Sequence, residues 1–209
     1  ENEVSFDSGS TAGATIDVGA IADLTGGLTL VDAGGLATFG ALGQGTTGDI
    51  TVTDSSAGVT FGGAVTATTL TLTDTTAGED IIFQGDLVAT TLTSTATSAY
   101  DVQFDEDVTV TNDVDFGAIG TLTIGTADDD VATFTGGVDA TSATGTVTLA
   151  GEINTVDTAM DFGNVTLADG TTFDTGNAAT GTIVIGDIAT GENEVSFDSG
   201  STAGATIDV

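Results

Sequence analysis

The sequence predicts an all-β chain wound as a β-solenoid, about ten coils to each 191 residues. Three observations predict it. Short strands of the form apolar–Thr–apolar recur along the chain. Phe residues recur with them, and Phe39, Phe61, Phe83 and Phe104 open a nearly even series. The eighteen-residue word ENEVSFDSGSTAGATIDV stands at residues 1–18 and again at 192–209.

The strands come in order. Ile16-Asp17-Val18 is followed by Leu28-Thr29-Leu30, Ile50-Thr51-Val52, Leu70-Thr71-Leu72 and Leu92-Thr93-Ser94. Then come Val108-Thr109-Val110, Leu122-Thr123-Ile124, Val147-Thr148-Leu149, Val165-Thr166-Leu167 and Ile183-Val184-Ile185. Alternation places apolar side chains on one face and Thr on the other. β-branched Thr suits an exposed pleated surface. A second strand ending in Phe follows most of these: Phe39, Phe61, Phe83, Phe104, Phe116, Phe134, Phe162, Phe173 and Phe197. Small turn residues such as Asp54-Ser55-Ser56-Ala57-Gly58 separate the two strands. No stretch has a helical period with caps.

Ten such units in 191 residues give a mean spacing of about 19 residues. Stacked at ~4.8 Å they would rise roughly 48 Å. An antiparallel β-sandwich is the alternative; it fits the strand count and leaves the Phe spacing unexplained. Residues 1–191 read as one tandem repeat, and 192–209 as the start of the next. No capping segment is recognisable, and Ala205-Thr206-Ile207-Asp208-Val209 is a strand of the repeating kind.

Composition narrows function. The 209 residues carry 32 acidic side chains and no Lys, Arg, His, Pro, Cys or Trp. Disulfide and thiol chemistry are excluded with Cys. Nucleic acid is not expected as a partner, because its binding rests on neutralised phosphates. The same charge argues against anionic membrane surfaces, and no apolar run is long enough for membrane insertion as a helix. The remaining partners are other copies of the chain, divalent cations, water and neutral glycans. Lack of Lys and Arg removes the sites of proteases that cut after them, which fits an extracellular, cell-surface setting. With no basic-then-apolar leader and no initiating Met, the chain reads as an internal segment or processed product.

The stretch GDITVTDSSAGVTFGGAVTATTLTLTDTTAGEDIIFQGD, residues 48–86, resembles the acidic Thr/Gly/Asp-rich strand repeats of giant prokaryotic surface proteins. These are the filamentous adhesins and autotransporter-passenger-like β-solenoids. The resemblance extends over the whole chain in composition and rhythm. It implies an extracellular β-helical shaft and carries no functional residue across.

Four features bear on chemistry. Asp105-Glu106-Asp107 and Asp128-Asp129-Asp130 are oxygen-rich clusters suited to Ca²⁺, as are Glu79-Asp80 and Asp113 with Asp115. The EF-hand and nonapeptide Ca²⁺ patterns are absent. Stacked coils bring like charges within ~5 Å, about 0.8 kcal/mol per pair even in water, and only counterions can relieve it here. Outward Thr29, Thr51, Thr71, Thr93, Thr109, Thr123, Thr148 and Thr166 could form one ladder. Such an array resembles the T-x-T faces of ice-binding solenoids, although unequal coil lengths would disturb its flatness. An enzyme is not expected: no triad is possible without His, and no phosphate loop without Lys. Asn164-Val165-Thr166 is a glycosylation sequon by pattern. Tyr100 and Met160, each single in the chain, read as local packing.

The sequence therefore points to a structural repeat of an extracellular fibre, sheath or adhesin shaft, assembling end to end by strand stacking. The alternatives are a binding module with a Thr face for ice or a surface for glycan, and a Ca²⁺-dependent surface-layer or matrix protein.

Overall fold

The computed structural model describes residues 3–95, 98–177, 180–201 and 204–209. Across them run 24 strands and no helix. Every described strand pairing is parallel. The chain is a β-solenoid, and the antiparallel sandwich does not form. Parallel pairing needs a crossover for each new strand, and here the rest of the coil is the crossover.

Each coil lays down three short strands on three faces. In one coil Ile50–Val52 lies on the first face and Val59–Phe61 on the second. Val65–Leu72 then bends round a corner, with Val65–Ala67 on the third face and Leu70–Leu72 on the first face of the next coil. The alternation read from sequence decides which side chains enter. Leu70 and Leu72 are fully buried, while Thr69, Thr71 and Thr73 point out and are half-buried.

The faces are in register from coil to coil. On the first, Val4 pairs Leu28, then Ile50, Leu70 and Leu92. After a break in the ladder the same face resumes with Val114, Val138, Met160, Ile183 and Ile207. The second runs from Ile16 through Ala37, Val59, Ile81, Val102, Leu122, Val147 and Val165 to Ile188. The third runs from Ile21 to Phe197.

From Val4 to Ile207 the chain makes nine turns. Coil length is uneven: on the second face the shortest step is Val147 to Val165 and the longest is Leu122 to Val147. The ten short units expected in 191 residues are thus fewer and longer turns, for a specific reason. The apolar–Thr–apolar strands do not occupy one face. Those at 28, 50, 70 and 92 are on the first, that at 108 on the third, and those at 122, 147 and 165 on the second. Counting them as one column counted a partial turn as a whole one.

The core is aliphatic with an aromatic spine. Phe39, Phe61, Phe83 and Phe104 stack on the second face, with ring centroids 5.6, 4.7 and 5.1 Å apart. Offset stacking of this kind adds about 0.5–1.5 kcal/mol per pair beyond burial. The spine then crosses the interior: Phe116 on the first face tilts against Phe104 at 6.2 Å, and Phe134 on the third meets Phe116 edge-on at 6.3 Å.

Tyr100 and Met160 are fully buried, so both are packing residues as expected. The Tyr100 hydroxyl donates to the Leu72 carbonyl at 2.9 Å and lies 2.9 Å from the Ser94 hydroxyl. Burial pushes its pKa up. The corner between the second and third faces needs small residues. Gly151 has φ of +76°, and a Cβ there would stand 2.1 Å from the Asp130 carbonyl oxygen.

Candidate functional site

Three surfaces concentrate chemistry. The first is a threonine grid on the first face. Ile50, Leu70 and Leu92 are in register, so their outward neighbours are too. Thr51 lies under Thr71, which lies under Thr93. Thr69 and Thr91 form a column on one side of them. Thr53, Thr73 and Thr95 extend it on the other, their amides bonding to the carbonyls of Leu30, Val52 and Leu72 in successive coils. The steps from Ile50 to Leu70 and from Leu70 to Leu92 are nearly equal, and the register holds across them without a bulge. Methyl and hydroxyl groups then repeat about every 4.8 Å along the axis and about 6.7 Å along each strand. The grid covers three coils, and Thr29, paired with Thr51, carries its central column into a fourth. Thr109 is on the third face and Thr123, Thr148 and Thr166 are on the second, so the expected ladder of eight is split among faces.

The second surface continues that column. Asp115, Asp139 and Asp161 are paired in register on the first face beyond the break. Burial first, and the Asp139 charge second, push the Asp161 carboxyl above the usual carboxylate range. Asp54 is raised in the same way, by burial and then by Asp32 and Asp74. Asp23 is the opposite case. It accepts bonds from the hydroxyls of Thr25 and Thr46 and from the Thr25 amide, and these hold it at about 2. Sequence reasoning named Asp115 only with Asp113 and passed over the ladder. The signal was there: Val114-Asp115-Phe116, Val138-Asp139-Ala140 and Met160-Asp161-Phe162 recur once per turn.

The third surface is the corner between the second and third faces. Asp105-Glu106-Asp107 and the longer Gly125–Asp130 turn occupy it in successive coils, because Phe104 pairs Ile124 and Val108 pairs Ala132. The two predicted acidic clusters are therefore neighbours. Their carboxylates are engaged by the backbone in part. Asp130 is buried and accepts from the amides of Thr126 at 2.6 Å and Ala127 at 2.9 Å. Asp107 accepts from the Val131 amide at 2.8 Å, and Asp105 from the Gln103 side-chain amide at 2.5 Å. Glu106, Asp128 and Asp129 are exposed. Among the described residues no group of three or more His, Cys, Asp or Glu is placed to hold a metal ion. An open groove of about 540 Å³ lies further along, with Asp128, Glu152 and Glu194 on its wall.

Asn164 is exposed at a corner, its side-chain oxygen accepting from the Asp187 amide at 3.0 Å. No helix among the described residues is long and apolar enough to cross a membrane.

The fold defines the chain as a parallel β-solenoid with a fully acidic ionic surface. No family model, curated protein or solved structure matches it.

Proposed function

We propose that the chain is a structural repeat unit of an extracellular fibre, sheath or adhesin shaft, joined end to end through its strand ladders. One observation carries the reading. Among the described residues the first and last coils each leave one parallel strand edge unpaired, and both are written in the same eighteen residues. Open edges are templates for further pairing. No catalytic role is assigned, since the side chains offer no base, nucleophile or basic electrostatic clamp beyond carboxylates and hydroxyls. The acidic surface supports hydration, resistance to proteases specific for basic residues, and neutralisation by divalent cations such as Ca²⁺. Concentrated protein should form filaments one solenoid wide, with a ~4.8 Å reflection along the filament axis. Monodisperse particles at all concentrations, with Ca²⁺ and with EDTA, would sink the reading.

The threonine grid favours a second reading, a face that orders water or binds ice. Thermal hysteresis in the native chain, abolished by T71E, would support it; no hysteresis in the native chain removes it.

A further inference from the structure

The two copies of the word lie on different faces. Val4 pairs Leu28 on the first face, whereas its counterpart Val195 pairs Thr171 on the third. Ile16 pairs Ala37 on the second face, whereas Ile207 pairs Ile183 on the first. The offset is the same for both strands. The path from one copy of the word to the other is therefore eight turns and two-thirds, not a whole number.

Each copy also shows one working edge. The first copy is held from one side, by the strands at 28–33 and 37–39. The second is held from the opposite side, by those at 171–174 and 182–184. The same eighteen residues thus have two edges, each with a partner already present in the structure.

We infer that one copy of the word serves as a coil shared by two successive units. Residues 192–209 of one chain take the place of residues 1–18 of a second copy of this chain. This rests on the fibre reading and deepens it. The exchange forms only pairs that already exist. One ordered word then holds the contacts that two held before, and the eighteen displaced residues regain their conformational freedom. That gain opposes the loss of translational freedom on association. The shared coil repeats two existing contacts, Asp198 opposite Asp174 and, in the place of Asp7, opposite Asp32. Placing word on word would keep both and add Asp198 opposite Asp7 and Asp208 opposite Asp17, with no basic residue to relieve them. In the shared coil Val195–Asp198 belongs to the third face of one unit and the first face of the next, so each unit is turned by one face.

The chain has no Cys, which makes the test clean. Thr29 and Ser196 are more than seven coils apart within one chain, roughly 35 Å, beyond disulfide reach. In the shared coil they are neighbours, as Ser5 and Thr29 are now. Under oxidation the 209-residue T29C/S196C chain should give a ladder of disulfide-linked oligomers. Excess synthetic peptide of the word should suppress it at least tenfold. S5C/T29C should close within the monomer and show that the slot is formed. A monomeric T29C/S196C beside a closed S5C/T29C overturns the shared coil, and so does a ladder from S5C/S196C alone, which reports word on word. Filaments in microscopy without the 29–196 link leave the fibre reading standing and remove this one.

Discussion

Phe6 and Phe197 are the same residue of the same word, yet Phe6 lies over Leu30 on the first face and Phe197 over Phe173 on the third. Phe197 keeps a stacked partner, with ring centroids 5.3 Å apart, and Phe6 meets Phe39 edge-on at 5.6 Å. Both are inward, so the word tolerates either face. Eight and two-thirds turns per unit rise about 42 Å, and three units, 26 turns, return to the starting face after about 125 Å. Filament diffraction should show layer lines at these spacings. A repeat of about 48 Å would restore the ten-coil count.

The aromatic spine should dominate core stability. Phe61 is fully buried between Phe39 and Phe83. F61A should cost about 3–5 kcal/mol in urea unfolding. F61L, which keeps most of the volume, should cost less than half of that.

The aspartate ladder gives a pH dependence with a definite sign. The Asp161 carboxyl is raised in the fold by burial and by Asp139, so the folded chain holds that proton more tightly than the unfolded chain. Its stabilising contribution is present at low pH and is lost as pH rises through the raised value. Asp54 acts in the same direction. The melting temperature should therefore rise on acidification from neutrality towards the carboxylate range. Asp23, held at about 2, works the other way, and its contribution fades as pH falls from about 4 towards 2. D161N should stabilise the chain at neutral pH by on the order of 0.5 kcal/mol and flatten the upper part of the profile. No change in that profile would show that the ladder carries no strain.

Gly151 is a backbone requirement. With φ of +76° and the Asp130 carbonyl where a Cβ would go, G151A should cost roughly 3 kcal/mol. G78A serves as the control: its φ is similarly positive, +77°, but nothing lies within 4 Å of its Cβ position. Chemical denaturation of the two variants separates crowding from conformational strain.

Sequence alone carried the class of fold because alternation and turn residues are local. The faces were not legible. Leu28-Thr29-Leu30 on the first and Val147-Thr148-Leu149 on the second are the same pattern. What separates them is the partner one turn away along the chain and the length of each corner. The same limit hid the meeting of Asp105-Glu106-Asp107 with Asp128-Asp129-Asp130, which depends on Phe104 pairing Ile124. The threonine grid was half-legible. Thr69-x-Thr71-x-Thr73 is plain in the sequence, but its alignment with Thr91-x-Thr93-x-Thr95 needs the register.

Each coil is also a unit of length under load. Backbone hydrogen bonds between coils point along the axis, so tension between the two ends peels the outermost coil first and meets its bonds a few at a time. Each coil that lets go converts ~4.8 Å of height into about 75 Å of extended chain. Stretching a single molecule should give a low-force sawtooth with steps of roughly 70 Å, a tether that lengthens in regular instalments before it breaks.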